Sequence, residues 1–114
     1  MRRIALLSAA IALVASPAFA QDYIGNWACY DANATKTGIL TIYGQVYGFA
    51  SATYGDPSSG TGTITAYQDG VGFNDGPLRA SRNIEAGRIV PNASTGLAVQ
   101  LETAEAATML CTPR

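Results

Sequence analysis

The chain has 114 residues, seven of them basic and eight acidic, with two cysteines and no histidine. Without histidine, Ser–His and Cys–His nucleophile pairs, imidazole acid–base catalysis and most zinc and iron sites are excluded. The chain has no basic run and no alternation of Arg with aromatics, so it lacks the electrostatic footprint of a nucleic-acid binder.

Residues 1–20 read as a cleaved export signal. Arg2 and Arg3 give a positive start, residues 4–15 a short apolar run, and Ala18-Phe19-Ala20 the small-x-small pattern that a signal peptidase accepts. Cleavage is expected before Gln21, leaving residues 21–114 as a single β-barrel domain in the periplasm or secreted. No Leu-x-x-Cys lipobox sits at the cut, and no second long apolar stretch follows, so neither a lipid anchor nor a permanent membrane span is expected. Lys36, Arg79, Arg82, Arg88 and Arg114 then face eight carboxylates; five positive charges against eight negative leave −3.

The mature chain is rich in Thr, Gly, Tyr, Ile and Val, arranged as short runs between turn-forming residues. Candidate strands cover 23–30, 37–43, 46–54, 61–68, 71–74, 78–81, 84–90, 96–102 and 107–112. The separators are Asp31-Ala32-Asn33, Gly44-Gln45, Gly55-Asp56-Pro57, Asp69-Gly70, residues 74–77, Ala86-Gly87 and Pro91-Asn92. Asp69-Gly70 is the strongest hairpin signal, with the composition of a type I′ turn. Alternation places Leu97, Val99 and Leu101 on an inner face and Ala98, Gln100 and Glu102 on the other. The Ala- and Glu-rich stretch 102–108 has room for a helical turn.

Cys29 and Cys111 lie near the two ends of the mature chain, and an even count in an oxidising compartment predicts a disulfide. Closing a loop of roughly eighty residues stabilises by about 4 to 5 kcal/mol in the chain-entropy model. Trp27 shares parity with Cys29, and Met109 with Cys111, so the bond should sit beside the largest core side chain and make the first and last strands neighbours. A meander whose ends pair is a barrel. The expected fold is an all-β, small antiparallel meander barrel of about eight strands closed by one disulfide, with a β-sandwich as the alternative.

Gly25-Asn26-Trp27 resembles the Gly-x-Trp that opens the first strand in the calycin group of lipocalin-like and avidin-like barrels. That resemblance implies an Arg from the end of the last strand lying against the Trp, and Arg114 is the candidate. If Cys29 faces Cys111, Trp27 falls opposite Pro113 with Arg114 within reach of its ring, which makes Trp27 and Arg114 the structural core pair. Calycins include carriers of small apolar molecules, bacterial protease inhibitors and barrels without a known ligand, so the resemblance implies no single function.

The remaining candidates for chemistry are few. A Ser–Lys dyad would need Lys36, which sits in a polar turn; Asp69 and Asp75 flank a strand but read as turn formers. The oxygen-rich stretch 69–76 does not have EF-hand spacing, and the sequons at Asn33 and Asn92 read as turns. No catalytic residue, metal or cofactor is expected. Tyr43, Tyr47, Tyr54 and Tyr67 are the candidate contacts for a ligand or partner; Tyr47 and Phe49 share one face of their strand and Tyr54 the other. The expectation is a non-enzymatic binding protein for a small molecule or an envelope or extracellular protein, an inhibitor included; the alternative is a structural or assembly component of the envelope. An enclosed apolar cavity would favour the binding module, and a filled core with an exposed Tyr-rich edge an interaction or structural role.

Overall fold

The computed structural model describes residues 23–114, and the predicted export segment 1–20 lies outside them. Strands β1 (Gly25–Tyr30), β2 (Lys36–Tyr43), β3 (Val46–Ser51), β4 (Gly60–Tyr67) and β5 (Gly70–Phe73) precede a short helix, α1 (Pro77–Arg82). Strands β6 (Ala86–Asn92), β7 (Gly96–Glu102) and β8 (Ala107–Pro113) follow it. Each strand pairs antiparallel with the next and β8 returns to β1, so the eight strands form a closed meander barrel. The seam carries the disulfide: Cys29 is directly opposite Cys111, both fully buried, with S–S 2.03 Å. Trp27 falls opposite Pro113 as the register requires.

Eight strands give an interior just wide enough for side chains to fill. Trp27, Leu40, Ile42, Tyr47, Phe49, Phe73, Leu78, Ile84, Val99, Leu101 and Met109 fill it as one cluster. Val99 and Leu101 point inward as alternation predicts, with Leu97 packed against the cluster at its margin. Ala98, placed by parity on the outer face, is also fully buried; its cross-strand partner is Val90.

Four local expectations are corrected. Residues 78–81 form helix, not strand: Pro77 at its first turn has the φ a helix start needs and no N–H to lose, and Asn83 ends it in the left-handed region at φ 59°. Strand β3 stops at Ser51 rather than running to 54: the Ser59 hydroxyl accepts the Ser51 N–H, and the Ser51 hydroxyl accepts the Thr53 N–H in place of a neighbouring strand. Pro91 and Asn92 belong to β6. Ile89 N–H donates to Asp69 O on the β5 side, so by alternation residue 91 turns its nitrogen to that side beyond the end of β5, where a proline lacks nothing. The stretch 102–108 contains no helix; Thr103 N–H donates to Ala106 O across a tight turn between β7 and β8.

The β4–β5 hairpin is present, but Tyr67 pairs with Gly70, so its loop residues are Gln68 and Asp69. Neither has positive φ, and the turn is not type I′. Gly70 is needed instead because a Cβ there would collide with the carbonyl of Gly87.

Candidate functional site

The four candidate tyrosines separate. Tyr43, Tyr54 and Tyr67 are exposed at 74%, 104% and 57%, whereas Tyr47 is 1% exposed. Tyr47 is therefore corrected from a contact residue to an internal one. Its hydroxyl donates to Asp75 O at 2.9 Å and accepts from Leu78 N–H at 3.1 Å, tying α1 to the barrel. Burial pushes its phenol pKa up, against the backbone N–H of Leu78, which pulls it down. Pro77 meets Gly60 at the start of β4, so the helix folds back over that strand and delivers Leu78 into the core.

Trp27 is 4% exposed and its indole N–H donates to Tyr23 O at 2.8 Å. Arg114 is corrected: its side chain is exposed, and what it supplies to the seam is its backbone N–H, donated to Asn26 O at 3.1 Å. The cation that lies over a ring is Arg82, 5.9 Å from the centre of Phe49.

Asp56 organises the loop between β3 and β4. Its carboxylate accepts from Ser58 N–H at 3.0 Å, from the Ser51 hydroxyl at 2.7 Å and from Arg82 Nη2 at 2.9 Å. The Ser58 amide first, then the Ser51 hydroxyl and Arg82, hold its pKa well below the usual carboxylate range. Tyr54 is the second residue of a turn closed by Asp56 N–H on Thr53 O, followed by Gly55 at φ 79°. The loop thus presents an aromatic at the tip of a hydrogen-bonded base.

Lys36 opens β2 and is exposed. The Asp75 carboxylate accepts from both the backbone N–H and the hydroxyl of Thr63, which commits it to β4 just past the end of β5. Among the described residues, no three His, Cys, Asp or Glu side chains converge as a metal would require.

The barrel wall carries an open apolar groove of about 560 Å³ on the outer face of β2, β3 and β4. Two rows of three residues build it: Thr41, Gly48 and Thr61 are successive cross-strand partners, and so are Tyr43, Val46 and Thr63. Val46 is 46% exposed and Tyr43 projects beside it, while Gly48 leaves the floor of the other row bare. The hairpin between Tyr43 and Val46 is tight, with Gly44 at φ 66° in the first central position, as a type II′ turn needs. That turn holds the aromatic and the valine side by side.

Of these residues, sequence reading singled out only Tyr43. A signal was present in the threonines at 61, 63 and 65, whose alternation places three hydroxyls on one face. No family model, curated protein or solved structure matches the chain.

Proposed function

We propose that this protein is an exported, non-enzymatic binding protein that engages its partner across the outer wall of β2, β3 and β4. The observation that carries the reading is the groove beside Tyr43 and Val46, a contiguous apolar surface that the fold leaves in water. A carrier of small apolar molecules needs interior space, and the interior here is occupied by aromatic and aliphatic side chains. The Cys29–Cys111 bond and the signal pattern of residues 1–20 support export to an oxidising compartment. The eight-stranded up-and-down closure, with Trp27 beneath the last strand, supports the calycin-like reading of the barrel.

The test is an amide NMR titration of the purified protein with a library of neutral and apolar fragments. Shifts concentrated at Thr41, Tyr43, Val46, Gly48 and Thr61 are expected. Saturable shifts centred on the inward residues Leu40, Val99 and Leu101 would return the protein to the carriers. A second reading, an assembly component of the envelope, draws on Tyr54 at the tip of its braced loop. Under it, Tyr54→Ala would lose co-sedimentation with the envelope while Tyr43→Ala kept it.

A further inference from the structure

With residues 1–20 removed, Met109 is the chain's one methionine, and the two cysteines are bonded to each other. The Met109 thioether is then the one sulfur left to a two-electron oxidant. Methionine fills irregular gaps in cores, and Met109, 5% exposed in β8, packs within the barrel's cluster. Two features go beyond filling. A cavity of about 280 Å³ opens at this end of the barrel, where the start of β2, the end of α1 and the start of β8 meet, and Thr37, Arg82, Ile84 and Met109 are among its lining. The Thr37 hydroxyl, on the same wall, lies 2.9 Å from Met109 Sδ and 3.1 Å from Cys29 O.

This setting suits an oxidised sulfur better than a reduced one. A thioether is a weak acceptor, and the hydroxyl beside it has a backbone carbonyl to serve instead. A sulfoxide oxygen is a strong acceptor, costly to bury unless a donor meets it. Here the donor is already in place, and the cavity has room for one more oxygen. So little of Met109 is in water that an oxidant reaches it in the folded protein only through such an opening, and a molecule as small as hydrogen peroxide fits one of this size.

We infer that Met109 is an oxidation site of the folded protein, apart from the binding role proposed above. Hydrogen peroxide enters the cavity, and a lone pair of Met109 Sδ attacks one of its oxygens. The O–O bond breaks as the S–O bond forms, and the released hydroxide takes the proton of the transferred oxygen and leaves as water. The sulfur is oxidised by two electrons and the peroxide reduced by two. The sulfoxide oxygen then accepts the Thr37 hydroxyl, and the barrel stays closed.

The experiment exposes the purified exported protein to hydrogen peroxide at a series of urea concentrations below the unfolding transition. Uptake is followed by mass and located by peptide mapping. One oxygen on Met109 is expected, at a rate within about a hundredfold of the urea-denatured chain and unchanged by low urea. A sulfur reached only through global unfolding would react about a thousandfold or more slowly, with a rate that climbs with urea as the unfolded fraction does. That result, or no uptake, would overturn the inference. Uptake that persists in Met109→Leu would do the same. The oxidised wild type should still melt cooperatively, and oxidation should lower the melting temperature of Thr37→Val by several degrees more than it lowers that of wild type. Equal losses in the two proteins would remove Thr37 from the site, and loss of the cooperative melt would show that the cavity does not house the oxygen.

Discussion

Removing the hydroxyl of Tyr47 tests how α1 is held. In Tyr47→Phe the ring stays between Gly62 and Gly76, whose missing side chains make room for it, so the change isolates two hydrogen bonds. Losing the bond to Asp75 O costs about 1 kcal/mol net, and the Leu78 N–H, in the first turn of the helix, is left with no partner, which costs about 1 to 3 kcal/mol. The expected loss is about 2 to 4 kcal/mol, or roughly 10 to 20 °C in melting temperature for a domain of this size. Urea denaturation gives the first figure, and an unchanged slope would show that the folded barrel is otherwise intact. The wild type should also lose stability in alkali. A phenol whose pKa is raised on folding stabilises fully below its unfolded value of about 10, and that contribution disappears as pH rises through the folded value. Tyr47→Phe should lack this alkaline loss. Tyr43→Phe, at an exposed position, should stay within about 0.5 kcal/mol of wild type. If Tyr47→Phe does too, the hydroxyl does not hold the helix and the account of α1 is wrong.

Trp27→Ala should cost about 3 to 5 kcal/mol by the large-to-small core penalty, read from thermal unfolding with the disulfide intact; an unchanged melting temperature would move Trp27 out of the core. Replacing Cys29 and Cys111 together by Ala should cost about 4 to 5 kcal/mol at most, since the bond spans 82 residues, and denaturant midpoints compared at equal slope would measure it. Asp56→Asn should flatten the acid side of the stability profile. A carboxylate whose pKa falls on folding stabilises fully above its unfolded value of about 4, and the contribution is lost as pH drops towards the folded value. Melting temperatures from about pH 7 down to pH 2 would reveal it, and parallel curves for the two proteins would contradict the role given to Asp56.

The barrel was legible because its signals are local or global, with little between. Turn residues separate the strands, alternation orients β7, and two cysteines at matched parity bring β1 to β8. The helix was not legible. A four-residue window such as 78–81 carries no period long enough to tell strand from helix, and only Pro77 after Gly76 hinted at a helix start. The 52–59 loop is shaped by Asp56 meeting Arg82, 26 residues away, a contact no window contains. The tyrosines failed for a related reason. Parity joined Tyr47 to Phe49, but which face was the inner one depends on strands elsewhere in the chain, so the buried Tyr47 and exposed Tyr43 read alike. The groove is the product of register across three strands, and Thr41, Gly48 and Thr61 become neighbours only once β2, β3 and β4 are aligned.

The seam between β1 and β8 bears on the order in which the barrel forms. Every other strand pair joins neighbours in the chain, reachable through a turn, a loop or, between β5 and β6, the segment that carries α1, whereas this one brings together residues 82 apart. Closing so long a loop costs about 4 kcal/mol in chain entropy before any contact across it forms, and pairings of that kind slow the folding of β proteins. With Cys29 and Cys111 bonded, the two ends of the meander are already joined in the denatured chain, and only adjacent hairpins remain to be zipped. The reduced chain must zip those hairpins first and search for the seam last. Refolding of the oxidised protein should accordingly be faster than that of the reduced one, with the unfolding rate changed less.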